Sequence, residues 1–139
     1  CEDAYFVDYA TEVGIRQTRT IDGIATLTNN DVISKRKFDD SVVKTSWPIE
    51  LHYGAKPKTE WLVEDYYDVP FHTLVPKVGR NLIVAGRCLS SEHEALASCR
   101  VTAQCFEYGR AAAIAADLSI REDLPFQALE GTQIAQLMK

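Results

Sequence analysis

Arg87, His93 and Arg100 fall within one stretch of this chain, Asn81–Ala116, which reads NLIVAGRCLSSEHEALASCRVTAQCFEYGRAAAIAA. An imidazole changes charge near neutral pH and can act as general acid, general base or substrate contact. An arginine close to a helix start adds a full positive charge to the partial charge of the free N–H groups there. Such a combination would stabilise negative charge that develops during a reaction. Arg16, Glu50, His52, Tyr66, Tyr67 and His72, scattered through the first half of the chain, are the other side chains able to line a pocket.

These residues need elements to hold them. Leu82–Ala85 is a continuous apolar run with a β-branched centre, stopped by Gly86, and predicts a strand buried on both faces. Ser91-x-x-Glu94 has the form of a capping box, and Leu96, Cys99, Ala103, Phe106 and Ala113 then recur near helical spacing, so one long helix is expected. Gly109, Ala111, Ala112, Ala113, Ala115 and Ala116 would let that helix lie close to a sheet. Strand, glycine, polar turn and small-residue helix together describe a strand-to-helix unit of an α/β nucleotide-binding fold. Ligands of such folds bind beyond the strand ends, which is where Gly86 and Arg87 stand. For an arbitrary turn of this type, a plain strand terminator and two solvent arginines are the alternative.

Upstream, Val13–Ile24 alternates as a strand, with Val13, Ile15, Gln17, Arg19 and Ile21 on one face and Arg16, Thr18 and Thr20 on the other. Thr28-x-x-Asp31 opens an expected helix over Asp31–Lys44 that sends Val32, Ile33, Phe38, Val42 and Val43 to a core. Trp47–Tyr53 alternates again, with Trp47, Ile49 and Leu51 opposed to Glu50 and His52. Gly54–Glu60 is a loop, and Trp61–Val63 and Val69–Val75 are expected to pair as strands. Short helices over Pro125–Leu129 and Thr132–Met138 close the chain.

The long stretch resembles the C-terminal flavin-binding segment of FAD-dependent oxidoreductases, whose pattern is close to NLLVAGRC-S-x-x-HEA-x-x-S-x-R-V…C…G-x-AAG. Val13–Ile24 (VGIRQTRTIDGI) is similar to that family's IGIRETRRI-x-G, Trp47–His52 (WPIELH) to its WPIDIH, and Tyr66–Lys77 (YYDVPFHTLVPK) to its YYDIPYR-LVP. The blocks follow in the family's order. The resemblance implies Arg16, His52 and His93 as catalytic residues, and Gly86, Arg87, Ser98, Arg100, Val101 and Thr102 against the FAD. Glu50, Tyr67 and His72 would belong to the substrate pocket. Glu50 stands for the more usual aspartate, and His72 for a common arginine, which removes a bidentate fork suited to a carboxylate. The fold implied is mixed α/β or α+β: antiparallel or mixed substrate-domain strands in 1–79, followed in 80–139 by the last strand-helix unit of a dinucleotide-binding fold. Apart from the resemblance, Arg16 reads as an exposed or ion-pairing arginine, His52 as a surface or satisfied histidine, and His93 as a residue that caps the helix or supports the site from behind.

Composition narrows the partners. With 139 residues, 46% hydrophobic, 25% charged and a formal charge of −5, this is ordinary globular material without the clustered positive field a nucleic acid requires. No apolar run reaches bilayer length, and CEDAYF lacks the form of a signal peptide, so a cytoplasmic protein without a membrane partner is expected. Cys1, Cys88, Cys99 and Cys105 form no C-x-x-C pair and predict reduced packing cysteines, with no metal site. A G-x-G-x-x-G turn for the FAD pyrophosphate is absent from the sequence. The chain therefore reads as the C-terminal part of a flavoenzyme that binds a small-molecule substrate, inactive without an N-terminal dinucleotide-binding portion that is its partner. FAD is not expected on this chain alone, and unpaired edges near Asn81–Ala116 predict its association into a homo-oligomer. A free-standing domain for assembly or small-ligand binding, with an inherited flavin signature, is the alternative.

Overall fold

A computed structural model describes residues 3–52 and 58–139. The elements are α1 (Asn29–Ile33), β1 (Ser41–Thr45), β2 (Ile49–Leu51), β3 (Lys58–Glu60), β4 (Tyr67–Pro70), α2 (His93–Cys99), α3 (Thr102–Glu122) and α4 (Gly131–Leu137), with 3-10 turns at Phe71–Thr73 and Phe126–Ala128. Two antiparallel pairs, β1 with β4 and β2 with β3, make this an α+β fold. Cys1, and most of the expected Gly54–Glu60 loop together with Tyr53, lie outside the described residues.

β4 is buried along its whole length, because β1 pairs with one edge and α1 packs beside it. α3 lies across β1 and α2 across β2. The core they enclose runs from Leu27 and Val32 through Val43, Tyr67, Val69 and Phe71 to Leu96, Tyr108, Ala115 and Ile134, so it draws on both halves of the chain.

α1 starts where its local chemistry dictates. The Thr28 hydroxyl accepts the Asp31 N–H at 3.1 Å, and the Asp31 carboxylate accepts the Thr28 N–H at 3.0 Å and the Arg36 guanidinium at 2.9 Å. Burial pushes the Asp31 carboxyl up, but the Thr28 bonds and the Arg36 charge outweigh it and hold it below the ordinary range. Thr28→Ala is expected to cost about 1 kcal/mol in a urea titration at neutral pH. A depressed folded pKa means that the Asp31 contribution is complete above the unfolded value of about 3.9 and fades as pH falls below it. The difference between wild type and Thr28→Ala should therefore shrink at acid pH.

The expected helix over Asp31–Lys44 ends after Ile33, at Ser34 and a left-handed Lys35 (φ 57°). Val42 and Val43 are buried from β1 instead, since the Asp68 N–H bonds to the Arg36 carbonyl and the Phe71 N–H to the Asp40 carbonyl, each at 2.9 Å, drawing the segment onto β4. Trp61–Val63 forms no strand and Val69–Val75 is strand only to Pro70, where the Thr73 hydroxyl donates to the Pro70 carbonyl at 2.7 Å and the chain turns. Alternation holds over Ile49–Leu51, with Ile49 and Leu51 buried and Glu50 half-buried, although Trp47 is exposed.

Two larger expectations are corrected. Leu82–Ala85 is not a strand: Leu82 is 49% exposed, and the segment's backbone bond, Val84 N–H to the Leu74 carbonyl at 2.9 Å, joins no ladder among the described residues. An apolar run is buried on both faces only where neighbours cover both, and here only Ile83 packs against the core. Val13–Ile24 is likewise an irregular arm with Val13 and Ile15 exposed. Its end is tied down by bonds from the Ile21 N–H to the Cys88 carbonyl and from the Ile24 N–H to the Val75 carbonyl, both 2.9 Å. Gly23 makes this approach feasible, because a Cβ there would lie 2.5 Å from the Ser90 Cβ.

The expected single long helix is two. Val101 is extended between α2 and α3, and the Gln104 side chain restarts the helix by accepting the Val101 N–H at 3.0 Å. Gln104 also donates to the Ser98 carbonyl at 3.2 Å and to the Thr45 hydroxyl, fixing the break against β1. In α3, Tyr108, Ala111, Ala115 and Leu118 are buried at helical spacing, whereas Gly109 and Ala113 are exposed. The terminal helices form as expected.

Candidate active site

Burial of Ile49 and Leu51 orients β2 so that His52, just beyond its end, opens onto a cavity of about 420 Å³. α2 packs on β2 and is only seven residues long, so its first residue, His93, and its C-terminal cap, Arg100, reach the same space. The arm contributes Gly14, Arg16 and Gln17, and Leu51 supplies an apolar wall. Gln17 fastens the arm, its side-chain amide donating to the His93 carbonyl at 2.9 Å.

The charged groups are ordered by few contacts. Arg16 Nη1 donates to His52 Nε2 at 3.4 Å. A guanidinium has no acceptor, so in this contact Nε2 carries no proton. Arg100 Nη2 donates to the Glu50 carbonyl at 3.3 Å, and Arg87 Nε to the Arg100 carbonyl at 3.4 Å. Burial, then the nearby charges of Arg16 and Arg87, pull the Arg100 pKa below its usual value, against an opposing pull from Glu50. The cavity is therefore cationic, in a chain that is acidic as a whole.

Arg16, His52, His93 and Arg100 thus meet. Other expected site residues lie elsewhere. Tyr67 and Ser98 are fully buried, with the Ser98 hydroxyl donating to the Trp47 carbonyl at 2.6 Å and so accepting the Tyr67 hydroxyl at 2.7 Å. Burial raises the Tyr67 pKa further above its already high ordinary value, which removes it from acid-base work near neutral pH. His72 faces Asp40 at 3.3 Å, outside this cavity. Glu50 offers Arg100 its carbonyl, and its carboxylate does not line the space. Val101 has its N–H taken by Gln104, and Thr102 is exposed at the start of α3, away from the lining. Gln17 is the residue that reading the arm as a strand misses, since alternation puts it opposite Arg16. In irregular backbone the two neighbours share one cavity.

None of the described thiols lines this cavity. Cys99 is buried and pushed up to about 12 by that burial, and burial also raises Cys105. Among the described residues no cluster of three His, Cys, Asp or Glu side chains could hold a metal ion, and no helix is long and apolar enough to cross a membrane.

Gly86 sits in the left-handed region (φ 104°), a turn that a residue with a side chain would strain, and it leaves Arg87 exposed beside Arg100. The donor set of Arg16, Arg87, Arg100 and the two histidines suits the anionic end of a ligand or an electron-rich ring. Comparison with protein-family models matches residues 1–138 to the family described as FAD dependent oxidoreductase. Searches of curated proteins and of solved structures returned no match. The family match takes in all but the last residue, and the chain belongs to the FAD-dependent oxidoreductase family.

Proposed function

We propose that this chain forms the substrate side and one wall of the flavin site of an FAD-dependent oxidoreductase. The observation that carries the reading is that Arg16, His52, His93 and Arg100, from three separate sequence blocks, share one cavity. FAD, when bound, supplies the electron transfer. The protein's part is to hold and orient the substrate with Arg16 and Arg100, to keep Arg16 in place with His52, and to move a proton at the His93 imidazole. Gly86 and Arg87 face the cofactor, and the pyrophosphate is held by a separate dinucleotide-binding portion, because none of the seven glycines of this sequence forms a G-x-G-x-x-G turn.

Flavin absorbance after gel filtration tests the division of labour. The chain by itself should emerge colourless, and the same chain joined to a dinucleotide-binding portion should emerge yellow. In that joined, flavin-loaded enzyme Arg100→Ala should slow flavin reduction by substrate while flavin content stays at one per chain. Unchanged reduction would remove Arg100 and the cavity from the active site.

A further inference from the structure

We propose that the cavity between the N-terminal arm, β2 and α2 is a carboxylate-binding site, and that the small molecule it takes carries its carboxylate between Arg16 and Arg100. That this molecule is the substrate rests on the function proposed above; that the site binds a carboxylate does not.

Several cations elsewhere on this surface are answered by acids. Lys37, Lys77 and Arg121 lie 2.9, 2.6 and 2.9 Å from aspartates. Among the described residues, neither Arg16 nor Arg100 forms an ion pair and no Asp or Glu side chain lines the cavity. Glu50, the acid that acts on Arg100 through space, gives it only a carbonyl. The mutual repulsion of Arg16, Arg87 and Arg100 is a cost that an anion between them would relieve.

Geometry selects the kind of anion. Phosphate sites commonly use backbone N–H groups at a helix start, but at the start of α2 the Ala95 N–H is taken by the Asn29 side chain at 2.8 Å. That start is thus partly committed, whereas the side-chain forks of Arg16 and Arg100 match the planar, two-oxygen edge of a carboxylate. Leu51 provides an apolar contact for the rest of the molecule, and the volume of about 420 Å³ lies in the range of small-molecule sites.

The chain contains three histidines, His52, His72 and His93, and this makes the test internally controlled. His52 and His93 line the cavity, and His72 is held by Asp40 outside it. Titration of the full chain with malonate, followed by the imidazole proton signals, should shift His52 and His93 saturably and leave His72 unmoved. Malonamide, of the same shape without charge, should shift none, and inorganic phosphate should bind more weakly than malonate. Arg16→Gln and Arg100→Gln should each weaken malonate by about tenfold or more, with the melting temperature showing that each variant is folded. No saturable shift, equal shifts of all three histidines, or unchanged affinity in both variants would overturn the site, and tighter binding of phosphate would overturn the carboxylate assignment. Loss of malonate binding in Arg16→Gln with full turnover of the flavin-loaded enzyme would uphold the carboxylate site and refute the catalytic reading instead.

Discussion

In the flavin-loaded enzyme, His93→Gln is expected to lower turnover by about 10²–10⁴-fold, the range of a positioned general acid or base. The two cavity histidines are not equivalent. His52 Nε2 accepts from the Arg16 guanidinium, so its ring serves to orient that cation. His93 stands at the start of α2 and lines the cavity, with its backbone fixed through the Gln17 amide on its carbonyl. A glutamine at position 52 keeps an acceptor for Arg16, so His52→Gln should reduce turnover by less than about tenfold. Rapid-reaction measurement of flavin reduction, with flavin content checked for each variant, separates the two. A larger loss at His52 than at His93 would reverse the assignment.

The residues that meet in the cavity were legible in the sequence where the signal was local. Thr28 and Asp31 announce a helix start because the capping bonds span three residues, and Ile49 and Leu51 announce a strand face because each is buried by its own alternation. Arg16, His52, His93 and Arg100 stood out by their place in recognisable blocks, although nothing in those blocks says that they converge. What could not be read depends on distant partners. The break between α2 and α3 is made by Gln104, whose amide reaches Thr45 on β1, far off in sequence. Val42 and Val43 fit a helix pattern as well as a strand, and the decision was made by β4, which offers Val43 a ladder partner in Val69. Leu82–Ala85 reads as a core strand on composition, yet composition measures only the wish for burial, and burial itself needs covering elements.

Ser98 makes the same point energetically, and Ser98→Ala is expected to destabilise the fold by about 2–3 kcal/mol while leaving flavin content unchanged. Its position in the HEA-x-x-S pattern suggests a cofactor contact, but the side chain is fully buried and already committed. A hydroxyl has one proton; since Ser98 donates it to the Trp47 carbonyl at 2.6 Å, the 2.7 Å contact with Tyr67 must run from the phenol to Ser98. Removing the hydroxyl therefore strands the Tyr67 O–H in a fully buried site and takes a donor from the Trp47 carbonyl. Tyr67→Phe in the Ser98→Ala background removes the stranded group, so the double variant should be more stable than the sum of the two single losses predicts. Urea unfolding of the four proteins measures that coupling. Additive losses, or a Ser98→Ala variant of normal stability that has lost flavin, would show that the hydroxyl faces the cofactor after all.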